Sequence, residues 1–402
     1  MAPQTTSNLS NSLRVQYTGR YLDKAFAGRF YDQLAIPVPG ITPADAIRGS
    51  SVQVEYLSGM TISGNAISQV TDVTPQILYD AVASVTPTSR GDALQWSENL
   101  DITVFTNYAM KRIDKIAENQ TESVEALAIA AALAGSWVER ATARASLDAG
   151  TPGHRASDAI FRKYQAKMQA LRVPGWKDSM GQENWAALMR PEPFHDICES
   201  GNVDAVGVYQ DMGIHLNFEL AKIGPFRLLV SAFAKVFGAA GADNATSVAT
   251  TLGAATTQLA TSFTTGDDVS ANVAVGEYWW IGTEETASTF YPTNEPVKPI
   301  TASTTTISAF IGQAENGGLR FPHASGVAVR NADSVYPIVF GGPGSLVKLY
   351  DPGTGEYGEF VPPHEQGLLH QWTAAGWKFY GGYGRLTENM VLRGEYSTSF
   401  EA

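Results

Sequence analysis

The chain has 402 residues, enough for two or three domains and a substantial buried core. Forty acidic residues against 28 basic leave a net charge of -12, which argues against a dedicated duplex-DNA binder, since phosphate affinity comes from clustered Lys and Arg. Charged residues are only 17% of the chain, against roughly 25% in ordinary soluble domains, so much of the surface is neutral and suited to facing protein.

Residues 1–45 begin polar and then mix aromatic with basic residues from Tyr17 to Tyr31, until Pro37, Pro39 and Pro43 break regular structure. This reads as an extended arm with a short helix around Tyr21 to Leu34. Strand patterning follows, with Val52, Val54 and Tyr56 alternating with polar residues and Ile102, Val104 and Phe105 recurring later. Roughly forty residues rich in Ser, Thr, Gly and Asp lie between them. They predict a long hairpin-like excursion that rests on a neighbour.

Thr121 is the expected N-cap of a helix running to Leu147. Val124, Leu127, Ala128, Ala131, Ala134, Val138 and Ala141 form its apolar stripe, and its length would be ~40 Å. A second amphipathic helix is expected over Ser157–Leu171, with Ile160, Phe161, Tyr164, Met168 and Leu171 on one side. A strand at Trp185–Met189 and a helix opened by Pro191 come next, then strands at Ile214–Leu220 and Phe226–Phe233. Residues 239–310 are rich in Ala, Thr, Ser and Gly, with seven acidic and no basic residues between Lys235 and Lys298. They read as surface loops and edge strands, packed in part through Tyr278, Trp279, Trp280 and Ile281. Strands at Tyr336–Phe340, Leu346–Tyr350, Trp377–Tyr380 and Asn389–Tyr396 close the chain, with turns at Asp351-Pro352-Gly353 and Gly381-Gly382. The order of segments predicts an α+β fold.

No catalytic, cofactor or metal site emerges from the motifs, and the chain does not read as an enzyme. Cys198 is the sole cysteine, so a disulfide within one chain and a cysteine metal site are excluded. His364-Glu365 is followed by His370, but the second histidine of a zinc-binding helix must come four residues after the first. The glycine clusters at Gly341-Gly342-Pro343-Gly344 and Gly381-Gly382-Tyr383-Gly384 lack the lysine of a phosphate loop and read as turns. Asp267-Asp268 and Glu284-Glu285 read as solvated loop acids, and Arg90-Gly91-Asp92 as a turn in the hairpin loop. Met1 to Ser12 lacks the pattern of a secretory signal, and no apolar run approaches the ~20 residues of a membrane span. The expectation is a soluble protein, cytosolic at synthesis, with no membrane partner.

One charge asymmetry stands out. Arg140, Arg144, Arg155, Arg162, Lys163, Lys167, Arg172 and Lys177 face only Asp148 and Asp158 in the same stretch. They read as a subunit-contact face or a lumen-facing positive face, set against solvated helix faces with i,i+4 pairing.

The order of arm, hairpin, long helix, mixed region and β tail resembles the Hong Kong 97-like capsid fold of tailed bacteriophages. Ala221-Lys222-Ile223-Gly224-Pro225-Phe226-Arg227, Tyr336-Pro337-Ile338-Val339-Phe340-Gly341 and Gly376-Trp377-Lys378 are similar to motifs of the large-podophage coat-protein family. The resemblance implies an N-terminal arm (1–45), an extended loop (46–110) and a peripheral domain with a long spine helix (111–156). It further implies an axial domain (157–345), including the acidic insertion near 239–310, and C-terminal strands (346–402) returning to the peripheral domain. It implies a major capsid protein, without cofactor, that forms pentamers and hexamers of an icosahedral shell around double-stranded DNA. The implied partners are other copies of the chain, a portal protein, a decoration protein, a separate scaffolding protein and nonspecifically held DNA. Its place is the virion capsid, assembled in the cytoplasm of the bacterial host. No lysine occurs between Lys24 and Lys111, so an isopeptide cross-link from a lysine of that loop is excluded. The alternative is a secreted carbohydrate-binding or adhesive β-rich protein, suggested by the Ser/Thr/Gly content, the tryptophans and the Arg-Gly-Asp tripeptide.

Overall fold

A computed structural model of the chain describes residues 29–37, 51–57, 59–60, 75–97, 108–178, 181–200, 204–205, 218–243, 248–270, 278–283, 291, 293–351, 356, 358–366, 371–385 and 387–401. Most of the helix expected from Tyr21, the strand at Ile102–Phe105, the start of Ile214–Leu220, the turn after Asp351 and His370 lie outside these residues. Strands outnumber helices, and the chain is α+β. It divides into two compact units. Among the described residues, the first takes those within Ala35–Val124 and Leu346–Thr387, the second those within Gly28–Leu34, Glu125–Ser345 and Glu388–Ala402.

The long strand Trp372–Gly384 is the axis of the first unit's five-stranded sheet. Thr88–Ser97 and Glu359–Gln366 flank it antiparallel, and Leu346–Tyr350 pairs with its last residues and carries Ala35–Pro37 in parallel. Gly381 and Gly382, expected as a turn, lie inside this axis. A Cβ on Gly381 would stand 2.4 Å from the Leu349 carbonyl oxygen, and one on Gly382 2.6 Å from that of Thr86. Close backbone approach, not chain reversal, asks for glycine here. Gly91 is the same case: Arg90-Gly91-Asp92 is no turn but mid-strand, opposite Phe379, Lys378 and Trp377. Val52–Leu57 forms a separate antiparallel ribbon with Asp80–Val85, a strand within the stretch read as polar excursion. Its buried Val52, Val54 and Val85 pack with Val347 and Leu349.

Helix α1 spans Tyr108–Leu133, about 39 Å at 26 residues, not Thr121–Leu147. Thr121 lies in mid-helix, its hydroxyl donating to the Ala117 carbonyl at 2.9 Å. The stripe read through Val138 continues numerically, but Val138–Arg140 is a strand parallel to Val391–Tyr396. Pairing with a strand some 250 residues away overrides local periodicity there. The first turns of α1 belong to the first unit, where Asn119 accepts a hydrogen bond from the Trp377 indole at 2.8 Å and Arg112 stacks over Trp96 at 4.7 Å.

The second unit is built on a mixed sheet in the order Val138–Arg140, Val391–Tyr396, Tyr336–Gly341, Glu183–Met189, Phe226–Val230, Glu219–Ile223 and Asp204–Ala205. Its central strands are buried at nearly every residue, which is why they read as unbroken apolar runs. The Ala221–Arg227 motif is a hairpin that turns at Gly224, whose φ of 55° favours glycine. Helix α2 (Asp158–Ala170) starts after Ser157, as expected, and buries Phe161, Tyr164 and Met168. Phe161, Phe226 and Phe340 meet edge to face at 5.3–5.6 Å. Leu171, expected on the same stripe, falls past the helix end and is exposed. Helix α3 (Pro191–Glu199) opens on its proline as read.

Residues 248–331 form a six-stranded sheet of their own, in the order Val248–Thr251, Ala328–Asn331, Trp279–Ile281, Glu295–Ala302, Thr306–Ile311 and Phe263–Thr264. The expectation of loops and edge strands is therefore corrected. Leu252, Phe263, Val269, Trp279, Ile281, Val297, Ile307, Phe310, Leu319 and Val329 make a separate core, spaced too widely in sequence to register as a periodic run. Under it, the fully buried Glu295 accepts the backbone N–H groups of Arg320 (2.7 Å) and Phe321 (3.1 Å) and contacts His323 Nε2 at 2.8 Å. Glu295→Gln leaves one carbonyl oxygen for three partners and should cost about 2 kcal/mol. The check is a lower urea midpoint, read through the fluorescence of the buried Trp279.

Candidate assembly surfaces

The first unit exposes a group of large apolar side chains. Ile77, Leu78 and Tyr79 are consecutive and 77%, 46% and 71% exposed. Met60, Val82 and Leu94 add further exposed apolar groups, and of Thr88–Ser97 only Trp96 is buried. Scattered exposed leucines are ordinary, whereas three large apolar residues exposed in a row form the kind of patch seen at interaction surfaces. Sequence reading had assigned this stretch to a neighbour from its polar composition. The apolar triplet that makes the case stronger was overlooked, although Ile77-Leu78-Tyr79 is visible in the sequence.

Six of the eight basic residues have partners within the chain, although none of the eight is fully buried. Arg144 grips Glu395 with two hydrogen bonds, Nε to Oε2 at 3.0 Å and Nη2 to Oε1 at 2.6 Å, and its guanidinium lies 4.0 Å from the Phe237 ring centre. Arg140 Nε reaches the same carboxylate at 3.5 Å and Arg393 Nε at 3.1 Å. Arg155 Nε donates to the Ala149 carbonyl at 2.8 Å. Lys163 and Lys167 both pair with Glu139, and Arg162 lies 3.7 Å from Asp158. Partial burial opposes ionisation of Glu139, but the two lysines prevail and hold its carboxyl below the usual range. The structure thus brings Arg140 with Arg144 at Glu395 and Lys163 with Lys167 at Glu139. Glu395 and Arg393 were missed by sequence reading, being some 250 residues from Arg144. Arg162 and Lys163 keep most of their side chains in solvent, and Lys177 is exposed on the short strand Trp176–Lys177.

Little among the described residues resembles chemistry. His195, Asp196 and Glu199 bring ligand atoms within 4.8 Å of one another. Asp196, however, accepts both the N–H (3.0 Å) and the hydroxyl of Ser399, so its lone pairs serve the C-terminal turn. His364 lies on the strand Glu359–Gln366, not on a helix. Among the described residues, no helix is long and apolar enough to cross a membrane.

No family model matches the chain, and no curated protein does. Solved structures do. The capsid of Ralstonia phage GP4 overlaps it with a TM-score of 0.54 at 9% identity, over 92% of each chain. The chain has the fold of a phage capsid protein. The capsid structure of cyanophage P-SCSP1u (TM-score 0.47, 11% identity, 92% of this chain and 88% of that one) and a chain of Mycobacterium phage Che8 (0.46, 8%, 91% and 90%) are also similar. The likeness to the Ralstonia phage GP4 capsid carries the assignment of fold. At 9% identity over nearly whole chains, the likeness is one of fold alone.

Proposed function

We propose that this chain is a major capsid protein, joining copies of itself into the pentamers and hexamers of an icosahedral shell that encloses double-stranded DNA. Arm, extended loop, peripheral domain with α1 as its spine, axial domain and returning C-terminal strands take the boundaries read from the sequence. The observation that carries the self-association is the exposed Ile77-Leu78-Tyr79 run in a chain of capsid fold. Heterologous contacts of that kind close into rings when each copy rests its loop on the next. The chain then works by packing rather than by chemistry, in the virion shell, after assembly in the bacterial cytoplasm. Arg162, Lys163, Arg172 and Lys177 are the part of the basic group left to meet an acidic neighbour or the DNA, and a separate scaffolding protein guides closure. Portal and decoration proteins complete the partners.

The test is Ile77→Ser with Tyr79→Ser in the full chain, expressed with the neighbouring genes of its phage. Rings or shells visible by negative stain for the parent, replaced by a folded monomer in the variant, are the expected result. Shells of normal yield from the variant overturn the role of this surface, and a parent that stays monomeric under all these conditions overturns the capsid reading.

A further inference from the structure

Before the long helix, the described residues that belong to the second unit are the turn at Tyr31–Leu34 and the residues just ahead of it. Glu125, on α1, holds that turn. Its Oε1 accepts the backbone N–H of Phe30 at 3.1 Å and that of Tyr31. Those N–H groups open a helical turn and need an acceptor, here supplied from 95 residues away in place of a local cap. Phe30, Tyr31 and Leu34 are wholly buried around the contact, and the Phe30 ring stands edge-on to Tyr31 and Phe218. Glu125 Oε2 is buried without a hydrogen-bond partner.

We infer that Glu125 is a proton-operated latch, which seats the turn on α1 when protonated and loosens it when ionised. This goes beyond the shell-forming role and does not depend on it. The groups facing the carboxylate are Arg29 and Asp32, themselves 3.8 Å apart, and the Tyr31 phenol. Behind the phenol lie the Lys235 backbone N–H, donating to it at 3.4 Å, and the charge of Arg190. Burial pushes Glu125 up to about 7; the Tyr31 N–H works against it, Asp32 adds to it, and Arg29 and the Phe30 N–H oppose it without prevailing. Burial also raises the Tyr31 phenol, which stays neutral throughout this range.

A carboxyl whose folded value lies above its ordinary 4.5 favours the closed state most at low pH. That advantage is lost progressively as pH rises from about 4.5 to 7, because opening returns the charge to water. Between pH 5 and 8 the opening equilibrium should rise on the order of seventyfold. Hydrogen exchange of the full chain tests this at the Phe30 and Tyr31 amides, after division by intrinsic rates, with the Tyr336–Gly341 amides as reference. The expected result is an opening that grows by tens-fold in the parent and stays flat in Glu125→Gln, which keeps an acceptor oxygen but cannot ionise. An equal rise in the variant, or a flat parent, overturns the latch. Should the variant fail to fold, a carboxyl-carbon titration of Glu125 in the parent decides: a midpoint below 5.5 overturns the proposal and one near 7 supports it.

Discussion

Glu395→Ala is expected to cost roughly 3–5 kcal/mol of the second unit's stability, the usual penalty for removing one partner of a buried ion cluster. Glu395 has no exposed side-chain surface, and it answers three guanidinium groups from Arg140, Arg144 and Arg393. Arg393 is almost as deeply buried and also donates to the Leu133 carbonyl at the end of α1. Without the carboxylate, the buried Arg393 and the half-buried Arg144 both lose this counter-charge. Replacing Glu395 with Leu and Arg393 with Met together should cost less than Glu395→Ala alone, because no buried charge is then orphaned at that pair. Urea unfolding followed through the buried Trp185 measures both. A loss below 1 kcal/mol for Glu395→Ala would mean the arginines reach water, and the cluster would not be what anchors Val391–Tyr396.

The second large effect is steric. A Cβ at Gly342 would stand 1.9 Å from the Pro174 carbonyl oxygen and 3.4 Å from the Trp185 ring. Backbone faces it, so no side chain can swing aside. Trp185 is itself pinned by its indole N–H to the Val173 carbonyl at 3.2 Å. Gly342→Ala should therefore cost about 3 kcal/mol, at the upper end of overpacking penalties. Gly153→Ala is the control, since nothing lies within 4 Å of a Cβ there, and its unfolding midpoint should move by less than ~0.5 kcal/mol. Equal midpoints for the two variants would show that the Pro174 segment yields freely.

Much of the second unit was legible in advance. The apolar runs at Trp185–Met189, Phe226–Phe233 and Tyr336–Phe340 announce strands buried on both faces, and the Phe161, Tyr164 and Met168 spacing announces the helix that covers them. The turn at Gly224 was not read in advance, although Gly-Pro is a turn dipeptide. By contrast, Asp80–Val85 and the sheet over 248–331 were hidden. Their strands are short and rich in Ala, Ser and Thr, and they acquire an apolar face only when several are placed side by side.

Among candidate sites, the eight basic residues were plain as a composition, yet their disposition was not. Only the return of the chain at Glu395 decides that Arg140 and Arg144 hold the fold together, while Arg162 and Lys163 stay largely in solvent. The same holds for Glu125, an unremarkable helix acid in sequence, which burial against Phe30 and Tyr31 turns into a group that titrates near neutrality. By itself the sequence determined the α+β class, helices α2 and α3, the central strands and the lack of any lysine between Lys24 and Lys111. These depend on local spacing and on which residue types are present. Tertiary structure alone decided where α1 begins and ends, which glycines are close approaches rather than turns, and which charges are buried. Each of those depends on what another segment, tens to hundreds of residues away, brings to within a few ångströms.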